Sequence, residues 1–482
     1  MESNPNYVDN VYTEIVQRLS KKQKFSYGVG HVLNDICASM WFSYLLVFFH
    51  FVLGFDPVLS GMLMLIGQVA DAFATPFVGL QSDRIDDFWL CRYGKRKTWH
   101  LTGTICVVLS FPFIFSKCIH CGDASQWSQL VYYSAFVIIF QIGWASVQIS
   151  HLALIPDLTP TEHERTELTA IRYTFTVFSN VFVYIIVWAI LHLTSDTSST
   201  SQIGPHDANK FFQVVMIGLT VGIISSGVFH IFVKEIPHST SGPITINHRS
   251  VSSFFNDQKF YLVAGVYMTT RLFVNIAQIC VPLYLHESLK MPATALAVIP
   301  LIMYLSSLKM SLIIERINTK LGRKIAYLIG FIQGASACIW IFFGEGQSFT
   351  NYFIYPCSLL LGAGGSVMLV TSLGITADLI GKNTQSGAFV YGAMSFTDKM
   401  ANGVAILLIQ YLRCPADCTF YYRNVVSLVC GGSAVLGLIM ILCIKNNESD
   451  NQDTSEYRGI ERDTTYDSEI STPTSAIGVN FN

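Results

Sequence analysis

Several stretches of this chain that are otherwise wholly apolar carry ionisable or amide side chains at helical spacing. His31 and Asp35 stand four residues apart in GHVLNDICASMWFSYLL (30–46), so on a helix they share one face. Asp71 lies in QVADAFATP (68–76), Arg172 and Asn180 in a later stretch, and Asp398 with Lys399 in another. Gln141, Gln148, Ser150 and His151 share a further apolar stretch, and Tyr304 and Lys309 another. Arg271, Asn275 and Gln278 follow an i, i+4, i+7 pattern, one polar stripe that is expected to face a cavity rather than lipid. A charged group at mid-depth in a membrane helix costs at least about 2.5–3.5 kcal/mol, so each marks a site or a partner. Two readings stay open for His31 with Asp35: an intrahelical pair, or part of a binding site. Asp71 is either a cation or proton site, or a packing acid paired with Arg172 or Lys399. No nucleophile–base motif, Walker loop or zinc-protease motif accompanies these residues, so an enzyme is not expected, nor a cofactor or a metal.

The elements that hold these groups follow from composition. The chain has 482 residues, 51% hydrophobic and only 13% charged, with a net charge of −2 and a mean hydropathy of +0.45. Soluble domains carry about twice that charge, and the near-neutral balance excludes a polybasic nucleic-acid binder. Apolar blocks of about 20 residues match the thickness of a bilayer core. They divide the chain into twelve expected transmembrane helices, an all-α membrane protein. The expected parts are a polar N-terminal tail (1–24), a six-helix half (25–233), a polar linker (234–258), a second six-helix half (259–444) and a disordered tail (445–482). No cleaved signal peptide is expected at the polar N-terminus.

Lys and Arg set the orientation. Lys21, Lys22, Lys24, Lys95, Arg96, Lys97, Arg316, Lys320, Arg323 and Lys324 all fall on the side of the termini. The opposite loops hold only Lys117, Lys210, Lys290, Arg413 and Arg423. Basic residues accumulate on the cytoplasmic side, so both termini are expected to be cytosolic.

The two halves repeat. QISHLALIPDLTPTEHERTELTAIRYTFTVFSN (148–180) parallels VTSLGITADLIGKNTQSGAFVYGAMSFTDKMAN (370–402), which sets Asp157-Leu158 against Asp378-Leu379. The loop from Asp83-Arg84 to Gly94-Lys95-Arg96-Lys97 is echoed by Glu315-Arg316 and Gly322-Arg323-Lys324. Two similar six-helix halves are a signature of many secondary transporters, with the substrate at mid-membrane between them.

These features resemble the major facilitator superfamily, whose loop between helices 2 and 3 reads G-x-x-x-D-R…G-R-R/K. Here it reads Gly79-Leu80-Gln81-Ser82-Asp83-Arg84 and then, after a longer gap, Tyr93-Gly94-Lys95-Arg96-Lys97. The longer gap, Phe25-Ser26-Tyr27-Gly28-Val29-Gly30 and Asp71-Ala72…Pro76 resemble its glycoside–pentoside–cation symporter branch. Within that branch, FPFIFSKCIHCG (111–122), GWASVQISHLALIPDL (143–158), YMTTRL (267–272) and 376–403 are similar to a subgroup of lysosomal and melanosomal membrane proteins. That resemblance implies import of cysteine into the organelle, an effect on pigment in pigment cells, and coupling to H+ or another ion by symport.

The branch also implies residue roles. Its substrate-binding acid falls on Asp35, its sugar-binding acid on Gln148, its substrate-binding arginine on Arg172 and a lysine on Lys399. An amide at Gln148 does not replace the acid's charge, which argues against a simple sugar carrier. The branch's cation motif has two carboxylates, whereas here only Asp71 remains and Thr75 takes the second place. A lone acid suits a proton better than sodium, because burial can tune its protonation. A small amino acid is then expected to place its ammonium at Asp35, beside His31, and its carboxylate at Arg172 or Lys399, with Gln148, Arg271 and Asn275 completing the lining. Asp83, Arg84, Gly94, Lys95 and Arg96 form the expected gating loop. The rival solutes are a sugar or a lysolipid.

Seven cysteines fall in spans and read as small apolar residues. Cys118 with Cys121, and Cys414 with Cys418, face the non-cytosolic side, where local or cross-loop disulfides are expected. Tyr12-Thr-Glu-Ile15 and Tyr457-Arg-Gly-Ile460 fit a sorting pattern. Asn447-Glu448-Ser449 is cytosolic in this topology, so no N-glycan is expected.

Overall fold

Among the described residues, twelve long helices occupy the twelve apolar blocks. The computed structural model describes residues 19–83, 93–121, 124–159, 161–193, 202–235, 256–380, 387–414 and 419–444. Its first half holds α1 (Lys21–Val52), α2 (Pro57–Asp83), α3 (Lys95–Ile114), α4 (Gln126–Leu158), α5 (Glu162–Leu193) and α6 (Ala208–Phe232). The second holds α7 (Gln258–Ser288), α8 (Ala295–Leu321), α9 (Arg323–Phe343), α10 (Gly346–Ile380), α11 (Gly387–Tyr411) and α12 (Tyr421–Cys443). Among the described residues, ten helices contain a stretch long and apolar enough to cross a membrane. The two others, α3 and α11, have 20 and 25 residues and are long enough for the same span. They fall short in hydropathy because α3 opens on Lys95-Arg96-Lys97 and α11 holds Asp398, Lys399 and Asn402. An even number of crossings brings Lys21 and Cys443 to one side, here termed the tail face.

The ends of the helices are built by local chemistry. Ser20 accepts from the Gln23 amide, and Gln23 reciprocates, a capping box that starts α1. Gly94 and Gly322 open α3 and α9 with φ of 123° and 82°, conformations that a side chain resists. The basic runs at both loops thus leave the turn in the same way. Within each half, small residues bring helices together. A Cβ on Gly103 (α3) would lie 2.6 Å from the Gly143 carbonyl of α4, and one on Gly364 (α10) 2.5 Å from the Gly334 nitrogen of α9. Such close approach replaces the hydrophobic drive that lipid does not provide.

Two kinds of departure from regular helix occur. Helix α1 breaks at Gly30–His31, between Val29 and Val32. Helices α1 and α7 both finish in π-helical turns, Phe48–Val52 and Tyr284–Ser288, a form that often marks functional places. The outer surface exposes Leu80, Leu109, Val131, Ile224, Leu312, Phe343 and Leu442, as lipid-facing helices require.

Cys37, Cys106, Cys280, Cys338, Cys357, Cys430 and Cys443 are free. Cys118 and Cys121 form a local disulfide with Cα atoms 5.4 Å apart, and Cys414 is also disulfide-bonded. Cys418, both tails, Tyr12, Tyr457, Asn447, linker residues 236–255, Arg84 and the side chains of Asp83 and Glu315 lie outside the described residues.

Candidate functional site

A cavity of about 300 Å³ lies between α5, α7, α8 and α10. Its polar wall includes Tyr173, Thr176, Tyr184, Arg271, Gln278 and Tyr304; Val274, Ala277, Met303 and Leu361 supply apolar wall. The stripe on α7 divides. Arg271 and Gln278 reach the cavity, whereas Asn275 is buried and no part of its wall. The Arg271 Nε donates to Asp398 Oδ2 on α11 at 3.0 Å, and Asn402 donates to the same carboxylate. Gln278 donates to Ser43 Oγ at 3.3 Å, and Ser43 lies 2.8 Å from the Tyr184 hydroxyl. This last set ties α7 to α1 and α5, so it joins the two halves at mid-depth.

His31, Asp35 and Arg172 come together just behind the cavity wall. Thr176, on the wall, donates to Asp35 Oδ2 at 2.9 Å. His31 Nδ1 lies 3.0 Å from Asp35 Oδ1, and an Arg172 terminal nitrogen donates to His31 Nε2 at 3.0 Å. Because Arg172 has only donors, His31 carries its proton on Nδ1, facing the carboxylate. The row therefore runs Arg172, His31, Asp35, with a cation at one end and an acid at the other. Arg172 Nε is buried with no partner among the described residues, a donor still lacking an acceptor. Arg172, Thr176 and Asn180 stand at i, i+4, i+8 on α5 and all meet α1, where Asn180 accepts from Ser39.

Asp71 is not a lone acid. Lys399 Nζ lies 2.7 Å from Asp71 Oδ1 and donates to Thr75 Oγ1 at 2.7 Å, while Thr75 donates to Asp71 at 3.1 Å. Thr75 thus holds the place of a second carboxylate by bridging acid and ammonium. This pair joins α2 to α11, and Lys399 is not in the cavity wall. Asp71 instead borders a void of about 10 Å³ with Trp41, Gln68, Gln141 and Trp144. Gln148 is half-buried on α4 and also stands apart from the cavity.

Both faces carry locks. On the tail face, Arg96 reaches Asp157 at 3.4 Å and Ser82 at 2.9 Å, and its backbone N–H donates to Glu235 at 3.0 Å. The equivalent pair, Arg323 with Asp378, meets through two contacts at 3.0 and 3.2 Å. Gly94 and Lys95 lie at the turn that aims Arg96. Lys24 bonds Glu167 and lies 3.3 Å from Glu164. Glu164 also accepts from Thr159 and the Leu19 amide, which holds its carboxyl below the usual glutamate range. On the opposite face, Phe51 stacks on His286 at 3.7 Å, and His286 lies 3.1 Å from the Ile203 carbonyl. A larger space of about 630 Å³ opens there, beside Asp56, Glu287, Lys290 and Arg413. It is a vestibule rather than the candidate site, because none of the mid-depth charges line it.

Tyr184, Thr176 and Ser43 have no signal in the sequence strong enough to single them out, since hydroxyls are common in membrane helices. The spacing of Arg172, Thr176 and Asn180 is the one trace of their shared face.

Comparison with known proteins supplies a frame. Residues 26–412 match the family model described as MFS/sugar transport protein. Major facilitator superfamily domain-containing protein 12 of Homo sapiens is 44% identical over 452 residues, spanning 88% of this chain and 93% of that protein. The protein of the same name from Mus musculus is 42% identical over 448 residues, with 88% and 93% covered. A Synechocystis protein named an uncharacterized symporter is 22% identical, covering 82% of this chain and 85% of its own length. Among solved structures, a D-xylose-proton symporter superposes with a TM-score of 0.66 at 12% identity, over 87% of this chain and 96% of that one. A nucleoside transporter does so with a TM-score of 0.65 at 12% identity, over 88% and 100%.

Proposed function

The chain belongs to the MFS/sugar transport protein family of multi-pass membrane transporters, and from that premise we propose that it carries cysteine by alternating access into the lumen of lysosomes and melanosomes. The observation that carries this reading is the Arg172–His31–Asp35 row behind the Thr176 wall, with an Arg172 Nε that has no partner among the described residues. It offers a carboxylate for an ammonium and a guanidinium for a carboxylate, in the low-dielectric setting where both count most. A zwitterion satisfies both groups at once, whereas a sugar satisfies neither charge. Gln278, Tyr184 and Tyr304 would orient the solute across the cavity.

The choice of cysteine among small amino acids rests on the similarity of stretches 111–122, 143–158, 267–272 and 376–403 to the lysosomal and melanosomal subgroup. Basic residues on the tail face support a cytosolic placement of that face. The hydrogen bonds described between the halves lie at mid-depth or toward the opposite face, which suits a carrier closed toward the lumen. Passage to the other state then requires Lys399 to leave Asp71, a step at which Asp71 would become free to take a proton. Arg96, Gly94 and Lys95 would act with Asp83 and Arg84 in gating the cytosolic side.

Radiolabelled cysteine uptake into proteoliposomes tests this. Asp35→Asn and Arg172→Ala are each expected to reduce uptake at least about tenfold, the value of one charge-assisted contact of about 1.4 kcal/mol. Undiminished uptake in both variants, or uptake of a sugar or lysophospholipid in place of cysteine, overturns the reading.

A further inference from the structure

The vestibule of about 630 Å³ on the opposite face gathers the ends of α2, α7 and α11. Asp56 stands before α2, Glu287 and Lys290 at the end of α7 and in the turn after it, and Gln410 and Arg413 around the end of α11. Its charged lining is balanced, Asp56 and Glu287 against Lys290 and Arg413. One acid and one base are already spent on each other, because Arg413 donates to Glu287 at 2.6 Å. The other two are not. Asp56 caps α2 with Oδ1, which accepts from the Val58 and Leu59 amides at 2.8 and 3.4 Å. Its Oδ2 has no partner among the described residues, and neither has the Lys290 ammonium.

Two side chains that line the vestibule and are at least nine-tenths buried each leave a polar atom unspent. Gln410 is 1% exposed. Its Oε1 accepts from the Tyr422 hydroxyl at 3.0 Å, while its Nε2 is buried with no partner among the described residues. His286 is 9% exposed. Its Nε2 faces the Ile203 carbonyl at 3.1 Å. A carbonyl only accepts, so the ring carries hydrogen on Nε2 and keeps Nδ1 as an acceptor. That Nδ1 is also buried with no partner among the described residues. Buried polar atoms are normally hydrogen-bonded, so a donor and an acceptor left over beside one cavity point to a ligand that supplies both partners.

Local structure holds these groups in place. After the π-helical turn that ends α7, the Leu289 N–H donates to the Tyr284 carbonyl at 3.1 Å and the Met291 N–H to the Leu285 carbonyl at 2.9 Å. Lys290, between them, takes a φ of 50°, a left-handed conformation that a side chain resists. Residues held there against their preference cluster at functional places. The stacked pair Phe51 and His286 belongs to the same wall, so a molecule seated in the vestibule touches the lock on that face.

We infer that the vestibule is a second binding site, for the zwitterion of a small amino acid, on the outer side of the Phe51–His286 lock. The ammonium pairs with Asp56 and donates to His286 Nδ1; the carboxylate pairs with Lys290 and accepts from Gln410 Nε2. A balanced lining holds neither a simple anion nor a simple cation well, whereas free charges of opposite sign suit a molecule that carries both. With about 630 Å³ against about 300 Å³ in the mid-depth cavity, the site sets little limit on the side chain. Its charges are open to water, where an ion pair gains little, so it holds solute weakly and lets it go. That one solute meets both sites, the mid-depth one inside the lock and this one outside it, rests on the transport reading above.

Equilibrium dialysis of the full chain in nanodiscs against radiolabelled cysteine, under nitrogen, counts the sites. Two per chain are expected. Asp35→Asn is expected to keep the vestibule site alone. Asp56→Asn combined with Lys290→Gln, which preserves an oxygen to cap α2, is expected to keep the mid-depth site alone. A count that this double variant leaves unchanged overturns the vestibule site. Binding of 3-mercaptopropionate, which lacks the ammonium, or of cysteine methyl ester, which lacks the carboxylate, to the Asp35→Asn variant as tightly as cysteine overturns the zwitterion class. In proteoliposomes of known orientation, the double variant is expected to raise the apparent KM for cysteine offered at the opposite face by about three- to tenfold and to leave that at the tail face within about twofold. A packing defect would raise both, and that result overturns the assignment. Binding that survives Asp35→Asn in full, together with no cysteine transport by the unsubstituted protein, instead overturns the transport reading and leaves the vestibule site standing.

Discussion

Lys399 crosses from α11 to put its ammonium 2.7 Å from the Asp71 carboxylate on α2, 328 residues earlier in the chain. Both side chains are at most 11% exposed. Removing one partner of such a buried pair leaves an uncompensated charge and costs about 3–5 kcal/mol. Asp71→Asn is therefore expected to lower thermal stability in detergent more than Asp71→Asn combined with Lys399→Met. An equal or larger loss in the double variant would show that the pair does not act as a unit.

The two tail-face arginines differ in setting although they repeat one motif. The Arg96 and Asp157 side chains are 16% and 23% exposed, against 38% and 53% for Arg323 and Asp378. Arg96 also binds Ser82 and, through its backbone, Glu235. Arg323→Gln is expected to change stability by less than about 1 kcal/mol, as exposed pairs do. Arg96→Gln is expected to cost more and to raise labelling of tail-side positions by impermeant thiol reagents. Equal effects would argue that the halves are locked alike.

Phe51 and His286 meet between the π-turns that end α1 and α7. Stacked rings contribute about 0.5–1.5 kcal/mol beyond their burial. Phe51→Ala is expected to shift the balance toward opening on the opposite face by about two- to tenfold. Labelling of Gln278→Cys from that face reports it, and an unchanged rate would remove the stack from the gate.

Glu164 fastens Leu19 and Lys24 to the start of α5, and its carboxyl is held down first by the Thr159 hydroxyl, then by Lys24 and the Leu19 amide. A lowered value means stability that is full above the ordinary glutamate range and lost as pH falls through the folded value. Leu19 and the first turn of α1 are expected to resist protease at neutral pH and to loosen only under acid stronger than that range. Glu164→Gln should give the loosened pattern at neutral pH. Protection that persists in this variant would assign the fastening to Lys24 and Glu167 alone.

Much of the architecture was legible in the chain itself. Twelve apolar blocks, the bias of Lys and Arg, and the echo of Gly94–Lys97 in Gly322–Lys324 depend on composition and short-range order, which lipid and helix geometry read directly. The twin bonds Arg96–Asp157 and Arg323–Asp378 follow from that repeat. His31 with Asp35 was legible too, because a helix sets residues four apart on one face. Beyond these, spacing offered alternatives without choosing. Asp71 had Arg172 and Lys399 as possible partners; packing of α2 on α11 selected Lys399. Arg271 was a cavity residue by its stripe, but only the approach of α11 gave it Asp398. Asp56 and Gln410 had no signal of their own, since each is a single polar residue near a helix end. Their meeting with Lys290 around one vestibule requires α2, α7 and α11 to converge on the opposite face. Local sequence thus determined where the charges sit along each helix. The tertiary packing decided which of them face one another, because that depends on helix rotation and crossing, which no local pattern records.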